Sequence, residues 1–275
     1  SMKLTVLGPG CWGLTIAKLL NDNFEEICIW GRQQDLSETL IKEKRINHPL
    51  EIQLDKKVEI TSGLESAIKN AEIILLVVST SGIREVCEQI KKIGIQKNQI
   101  LVNLSKGIEI PSLKRMSEVI LEVLPDINFA VLSGPTLARE ILEKKPTLAS
   151  VASRDIEVAK KVQELLNVPS LFRLYTNSDL IGVELGGSLK NVIAIASGFA
   201  SSIGLGDNLK GSLLTRGLAE MTRVAVELGA NPATMYGLSG LGDLIATATS
   251  PYSRNYTVGS MLAKGKKIDD ILKEL

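Results

Sequence analysis

The chain has 275 residues, enough for one large domain or two ordinary ones. With 44% hydrophobic and 23% charged residues it can bury a real core, which excludes a disordered chain. Lys and Arg total 32 against 31 Asp and Glu, a net charge of +1, so no global field points to nucleic acid or an acidic membrane surface, and basic residues must act locally, in a pocket.

Ser1 before Met2 reads as a scar of expression, and no signal peptide is expected ahead of the first motif. KLTVLG (3–8) reads as a strand, CWGLTIAKLLND (11–22) as a helix with apolar residues at helical spacing, and EEICIW (25–30) as a second strand. Next comes INHPLEIQLD (46–55), read as a compact loop holding the only histidine, His48. Further strands are expected at 58–60, 72–78, 99–104, 128–134, 148–153 and 171–176. The run IILLVV is apolar at every position, as a strand buried on both faces should be. This alternation implies an α/β Rossmann domain with a mostly parallel, doubly wound sheet over residues 1–178.

Beyond residue 178 the strand pattern stops, and an all-α C-terminal domain is expected over 179–275. One long helix is expected over roughly 179–202 and another over 209–229. NPAT (231–234) reads as a helix start, with Asn231 as the cap and Pro232 at the first helical position. Arg216 and Glu220, spaced i, i+4, are expected to pair on one helix face. No apolar run is read as reaching the roughly 18–20 residues of a membrane span.

Cys11, Cys28 and Cys87 form no CxxC pair, so no zinc or redox motif is expected and a reduced, cytoplasmic setting fits. One histidine gives little basis for a histidine-based triad, and no metal is expected.

The first motif is Gly8-x-Gly10-x-x-Gly13, between a strand and a helix. There the first glycine makes the turn, the second lets a pyrophosphate approach the backbone, and the third lets helix and strand pack closely. The second strand ends in Trp30-Gly31-Arg32, where an NAD enzyme usually carries an acid for the ribose hydroxyls. With no acid there and an arginine at hand, NADP(H) is favoured and NAD(H) is admitted. The plain alternatives are a glycine turn without a ligand and a solvated Arg32.

Four later stretches carry chemistry: NLSKGIE (103–109), SGPTLARE (133–140), ELGGSLKN (184–191) and GLSGLGDLIATATSPYSRN (237–255). In LIGVELGGSLKNVIAIASGFA (180–200) only Glu184 and Lys190 are charged. A hydride delivered to a carbonyl carbon leaves charge on the oxygen, which needs a proton or a positive partner. With histidine nearly absent, a lysine desolvated among small apolar residues is the natural proton donor.

These stretches, together with GPGCWG and LLTRGLAEM, resemble the NAD(P)-dependent glycerol-3-phosphate dehydrogenases of bacterial type, in order and over essentially the whole chain. The resemblance implies reversible reduction of dihydroxyacetone phosphate to sn-glycerol 3-phosphate for phospholipid synthesis. It implies Lys190 as the acid/base, Lys106 as a substrate and cofactor contact that helps polarise the carbonyl, and Asp243 as the carboxylate that orients the lysine and meets substrate hydroxyls, with Thr247 one helical turn on. It also implies Arg254, flanked by Ser253 and Asn255, on the substrate phosphate and against the cofactor. Gly134 and Thr136 match substrate contacts. Ala138 matches a cofactor contact, as do Gly8, Gly10, Cys11, Trp12 and Gly13 in the phosphate turn. The structural alternatives are an exposed strand-end Lys106, a snorkelling Lys190, Asp243 as a helix cap and a solvated Arg254. Glu184 reads as a structural partner.

The family implied by the resemblance continues past Arg254 with further helices and a glutamate-bearing cofactor segment. The sequence given ends at Leu275, as a short lineage or a truncation would, and closure over the cofactor is expected to suffer. Two other readings remain open: a reductase of another small hydroxy acid on the same plan, and a dinucleotide sensor without catalysis. A homodimer is expected from such helical domains.

Overall fold

The computed structural model describes residues 2–275. The chain divides into two units, one comprising the chain to Leu132, Ala138–Thr147 and Val151–Ser178, the other Ser133–Leu137, Leu148–Ser150 and Asp179–Leu275.

In the first unit the strands are β1 (Lys3–Leu7), β2 (Glu26–Trp30), β3 (Arg45–Ile46), β4 (Ile52–Gln53), β5 (Glu59–Thr61), β6 (Ile73–Leu76), β7 (Ile100–Asn103), β8 (Asn128–Ser133), β9 (Thr147–Ala152) and β10 (Phe172–Asn177). Between them run α1 (Cys11–Leu19), α2 (Glu38–Glu43), α3 (Leu64–Ile68), α4 (Ile83–Ile93), α5 (Met116–Val123), α6 (Ala138–Leu142) and α7 (Ile156–Leu166). Eight strands form one sheet in the order β10-β9-β8-β7-β6-β1-β2-β5. β1 pairs in parallel with both β2 and β6, and Leu7 stands level with Trp30 on one side and Leu76 on the other. The strand order therefore switches direction at β1, where open α/β sheets leave a crevice at the carboxyl ends of their strands. Every residue of β1 and β6 is buried, as continuous apolar runs inside a two-faced sheet require.

The segment read as a compact loop at 46–55 is partly ordered. Ile46 and Ile52 pair in an antiparallel hairpin of β3 and β4, and the Ile52 side chain is buried. Two-residue strands carry no periodicity, so the sequence offers no signal for them.

Three free thiols sit in this unit, with Cys28 and Cys87 buried and Cys11 half-buried. Burial pushes the thiols of Cys28 and Cys87 up to about 12. A thiolate-specific reagent at pH 8 should therefore react with at most one thiol in the native protein and with all three after denaturation. Rapid labelling of two or more native thiols would contradict this burial.

In the second unit α8 (Leu180–Leu189) and α9 (Asn191–Ser202) replace the single helix expected over 179–202. Lys190 separates them while keeping φ −68° and ψ −22°, so the chain bends without leaving the helical region. Together the two helices are long and apolar enough to cross a membrane by length and composition, which corrects the expectation that no run is. Much of this pair is buried within the unit, with Leu185 and Ala194 in a cluster that includes Leu218, Met221, Met235 and Leu244. Next come α10 (Gly206–Glu227), a 3-10 turn at Pro232–Tyr236, a π-helical turn at Leu238–Gly242, α11 (Asp243–Thr249), α12 (Arg254–Ala263) and α13 (Ile268–Glu274). Asn231 caps the 3-10 turn by accepting from the Ala233 amide at 2.9 Å. On α10 Glu220 pairs with Arg223 at 2.9 Å instead of Arg216, because i, i+3 neighbours share a helix face as i, i+4 neighbours do.

Candidate active site

The first unit carries a groove of about 450 Å³ at the switch point, with Gly8, Gly10, Arg32, Asp35, Ser79 and Glu85 in its wall. Its shape follows from the glycines. Gly8 has φ +135°, and a Cβ there would lie 2.6 Å from the Val77 carbonyl oxygen. A Cβ at Gly13 would lie 2.2 Å from the Gly8 oxygen, the close helix–strand approach assigned to the third glycine of the motif. At Gly10 a Cβ would meet nothing within 4 Å, which leaves the room a pyrophosphate needs. The residues present thus fit a dinucleotide. Cys11 and Trp12 open α1, Ala138 opens α6, and Lys106 follows β7; these four and Gly13 stand outside the groove wall. Burial raises the Cys11 thiol above its usual range, so it stays protonated at neutral pH.

The strand end itself carries no acid, yet one comes close to Arg32. Arg32 Nε donates to Asp35 Oδ2 at 2.9 Å, and Asp35 and Glu85 both line the groove. Hydrogen bonding to Asp35 raises the guanidinium above its usual range. The acid comes from three residues past Arg32, because a 3-10 turn at Gln33–Asp35 folds it back toward the arginine.

The second unit holds the chemical cluster. Lys190 is 7% exposed and Asp243 2%, and Lys190 Nζ donates to Asp243 Oδ1 at 2.5 Å and to Thr247 Oγ1 at 2.9 Å. Thr247 spends its one hydroxyl proton on Asp243 Oδ1 at 3.2 Å, so it can only accept from the lysine. A buried charge survives when it is paired and hydrogen-bonded, and this one is both. Lys190 therefore does not snorkel to the surface, and Asp243, although it starts α11, spends its carboxylate on the lysine.

Glycines bring these residues together across 53 positions of sequence. A Cβ at Gly186 would lie 2.6 Å from the Ser239 oxygen, and one at Gly240 would lie 2.1 Å from the Met235 oxygen. At Gly186 the backbone of α8 thus meets the π-helical turn that leads into Asp243, and at Gly240 that turn packs on the 3-10 turn before it. On its other side, Pro135 ring atoms lie 3.8 Å from where a Gly242 Cβ would stand, which sets the Gly134–Thr136 turn beside Asp243. Within that turn Thr136 Oγ1 donates to the Gly134 oxygen at 3.3 Å.

α9 and α12 run side by side in the same direction. Asn255 Nδ2 donates to Asn191 Oδ1 at 2.8 Å near their N-termini, and Ser202 and Ser260 meet further along. A Cβ at Gly198 would lie 2.2 Å from the Tyr256 oxygen, and one at Gly259 only 1.9 Å from the Ile195 oxygen. Two positive helix ends therefore lie together, with Lys190 before one and exposed Arg254 opening the other. Ser253 is buried and its hydroxyl accepts from the Tyr256 amide at 3.3 Å, so its observed work is to cap α12. Asn191 is the residue the sequence reading left out; its place next to Lys190, matching Asn255 next to Arg254, was the available signal. Among the described residues no group of three or more His, Cys, Asp or Glu gathers as metal ligands would.

Comparison with known proteins gives the following. Residues 3–159 match the family model of the NAD-dependent glycerol-3-phosphate dehydrogenase N-terminus, and residues 179–275 match that of its C-terminus. The chain is 44% identical over 274 residues to the glycerol-3-phosphate dehydrogenase (NAD(P)+) of Thermoanaerobacter sp. (strain X514), covering 100% of this chain and 82% of the relative. It is 42% identical over 278 residues to the enzyme of the same name from Bacillus subtilis (strain 168), covering 99% and 80%. The crystal structure of glycerol-3-phosphate dehydrogenase from Coxiella burnetii superposes with a TM-score of 0.91 at 31% identity, covering 100% of this chain and 84% of that one.

Proposed function

The chain belongs to the NAD-dependent glycerol-3-phosphate dehydrogenase family, and from that premise we propose how its own residues carry the reaction. The reaction is the NAD(P)-dependent interconversion of dihydroxyacetone phosphate and sn-glycerol 3-phosphate. Residues 1–178 serve as the NAD(P)-binding domain and 179–275 as the substrate and catalytic domain. The observation that carries this reading is the buried cluster of Lys190, Asp243 and Thr247.

When bound, the reduced nicotinamide supplies a hydride to the carbonyl carbon. Lys190 donates a proton from Nζ to the carbonyl oxygen as charge grows there, and in the reverse direction takes it from the hydroxyl. Asp243 and Thr247 hold Nζ in place. Arg254 and Asn255 bind the phosphate at the paired helix ends, where the guanidinium fork suits an oxyanion. Lys106 binds the substrate and polarises its oxygen, with Gly134 and Thr136 as further contacts. Gly8 and Gly10 cradle the pyrophosphate, and Cys11, Trp12, Ala138 and Arg254 complete the cofactor contacts. Three unpaired thiols suit a reducing, cytoplasmic compartment.

Cofactor choice follows from the Arg32–Asp35 pair. Arg32, released from Asp35, would meet the 2′-phosphate of NADPH, whereas NADH would leave the pair intact. Oxidation of NADPH or NADH by dihydroxyacetone phosphate, followed by absorbance, tests both function and choice. No oxidation of either nucleotide by the intact protein would refute the function. Arg32→Ala should raise the KM for NADPH about tenfold more than that for NADH. Asp35→Asn should lower the KM for NADPH by freeing the arginine. Equal effects of Arg32→Ala on both nucleotides would show that Arg32 does not read the 2′-phosphate.

A further inference from the structure

Lys106 lies in the loop from Ser105 to Arg115, whose tip has little apolar anchorage. Ile110 is 84% exposed and Leu113 75%, and Leu113 has φ +61°, a left-handed conformation costly for a bulky side chain. Polar contacts must therefore hold this loop. At its start Ser105 Oγ donates to the Val78 oxygen at 2.5 Å, and Asn103 accepts from the Ser105 amide at 3.0 Å. Further along, the Glu109 amide donates to the Lys114 oxygen and the Leu113 amide to the Glu109 oxygen, at 2.9 and 2.8 Å.

A fork also ties the loop to the rest of the unit. Arg84 Nε and Nη2 donate to Glu109 Oε2 and Oε1 at 3.0 and 2.9 Å, and Ser112 Oγ adds a third bond to Oε1 at 2.6 Å. The second flank is tied down as well, since Glu122 on α5 accepts from Lys114 at 2.8 Å and lies 3.5 Å from Arg84. Arg84 holds the Glu109 carboxyl down at about 2, so the pair stays ionised through the neutral range. Arg84 sits on α4, whose Glu85, Val86 and Gln89 line the nucleotide groove. One helix thus touches the groove with some side chains and grips the Lys106 loop with another.

We propose that Arg84 and Glu109 are positioning residues for Lys106: their fork fastens the lysine's loop to the helix that walls the nucleotide groove. The proposal rests on the reading of Lys106 as the substrate-binding lysine. Neither residue touches the substrate; each acts by fixing where Lys106 stands. Arginine is required because two parallel hydrogen bonds set an orientation, whereas a lysine ammonium supplies only a point charge.

The test is a double-mutant cycle of Arg84→Met and Lys106→Ala, reading the KM for dihydroxyacetone phosphate, kcat and the Kd for NADPH. Arg84→Met alone should raise the KM about tenfold through displacement of the lysine, while the Kd for NADPH stays within about twofold. Glu109→Gln should act in the same direction, and Arg84→Lys should recover only part of the loss. On the Lys106→Ala background Arg84→Met should change the KM by less than about twofold, since no lysine remains to be placed. A full tenfold effect on that background, or no effect of Arg84→Met alone, would overturn the proposal. A Lys106→Ala protein with unchanged KM would overturn the reading of Lys106 itself, and the proposal with it.

Discussion

Lys190→Met should lower kcat by about 10²–10⁴-fold, the range of a positioned general acid, while the Kd for NADPH changes by less than about twofold. The split is expected because Lys190 is not among the residues that wall the nucleotide groove. Methionine keeps the length of the side chain but leaves Asp243 buried without its cation. Removing one partner of a buried pair costs roughly 3–5 kcal/mol, so a lower melting temperature should accompany the loss of turnover. Two further variants separate fold from chemistry. Lys190→Met with Asp243→Asn removes both charges and should recover much of the stability but none of the rate. Lys190→Arg keeps a cation for Asp243, yet a guanidinium does not give up its proton, so kcat should stay low in a well-folded protein. Normal turnover in Lys190→Met would rule the residue out as the acid/base.

Gly259→Ala should have the largest structural effect of any single methyl group added to α12. Its Cβ would lie 1.9 Å from the Ile195 oxygen and 2.7 Å from the Phe199 amide nitrogen. Both are backbone atoms of α9, so no rotamer change can clear the clash and the helices must part. Overpacking of this kind costs roughly 1–3 kcal/mol, which corresponds to a drop in melting temperature of about 2–12 °C for a chain of this size. Because α12 begins with Arg254 and Asn255, the KM for dihydroxyacetone phosphate should rise as well. Gly211→Ala is the matched control. Gly211 is an exposed position inside α10, and a Cβ there meets nothing within 4 Å. That substitution should raise stability by about 0.5–1 kcal/mol, since alanine is the better helix former. Equal melting temperatures for Gly259→Ala and the unmodified protein would show that the α9–α12 contact yields at no cost.

The motifs made much of the site legible. Gly8, Gly10 and Gly13 announce a phosphate turn because only glycine meets the local demands of that turn, whatever surrounds it. Lys190 stood out because a charge inside a run such as GGSLKNVIAIASG needs a partner. The identity of that partner came from the resemblance and not from the spacing, for 53 residues of sequence separate the two. The Arg32–Asp35 pair is not legible at the strand end, because a short 3-10 turn returns the acid from three residues on. The grip of Arg84 on Glu109 left no trace of its own, because α4 and the Lys106 loop come together only through the pairing of β6 with β7.

By itself the sequence determined the alternation of buried strands and helices, the switch to an all-helical second part and the phosphate turn. Each of these depends on residues within a few positions of one another, through periodicity, capping and the freedom of glycine. Only the tertiary structure decided that the apolar run at 180–202 bends at Lys190, that Asp243 and Thr247 close around its ammonium, and that two helix ends meet beside Arg254. Those outcomes depend on backbone approaching backbone at Gly186, Gly240, Gly198 and Gly259. A missing side chain permits such an approach, but only the folded chain selects which distant segment fills the space.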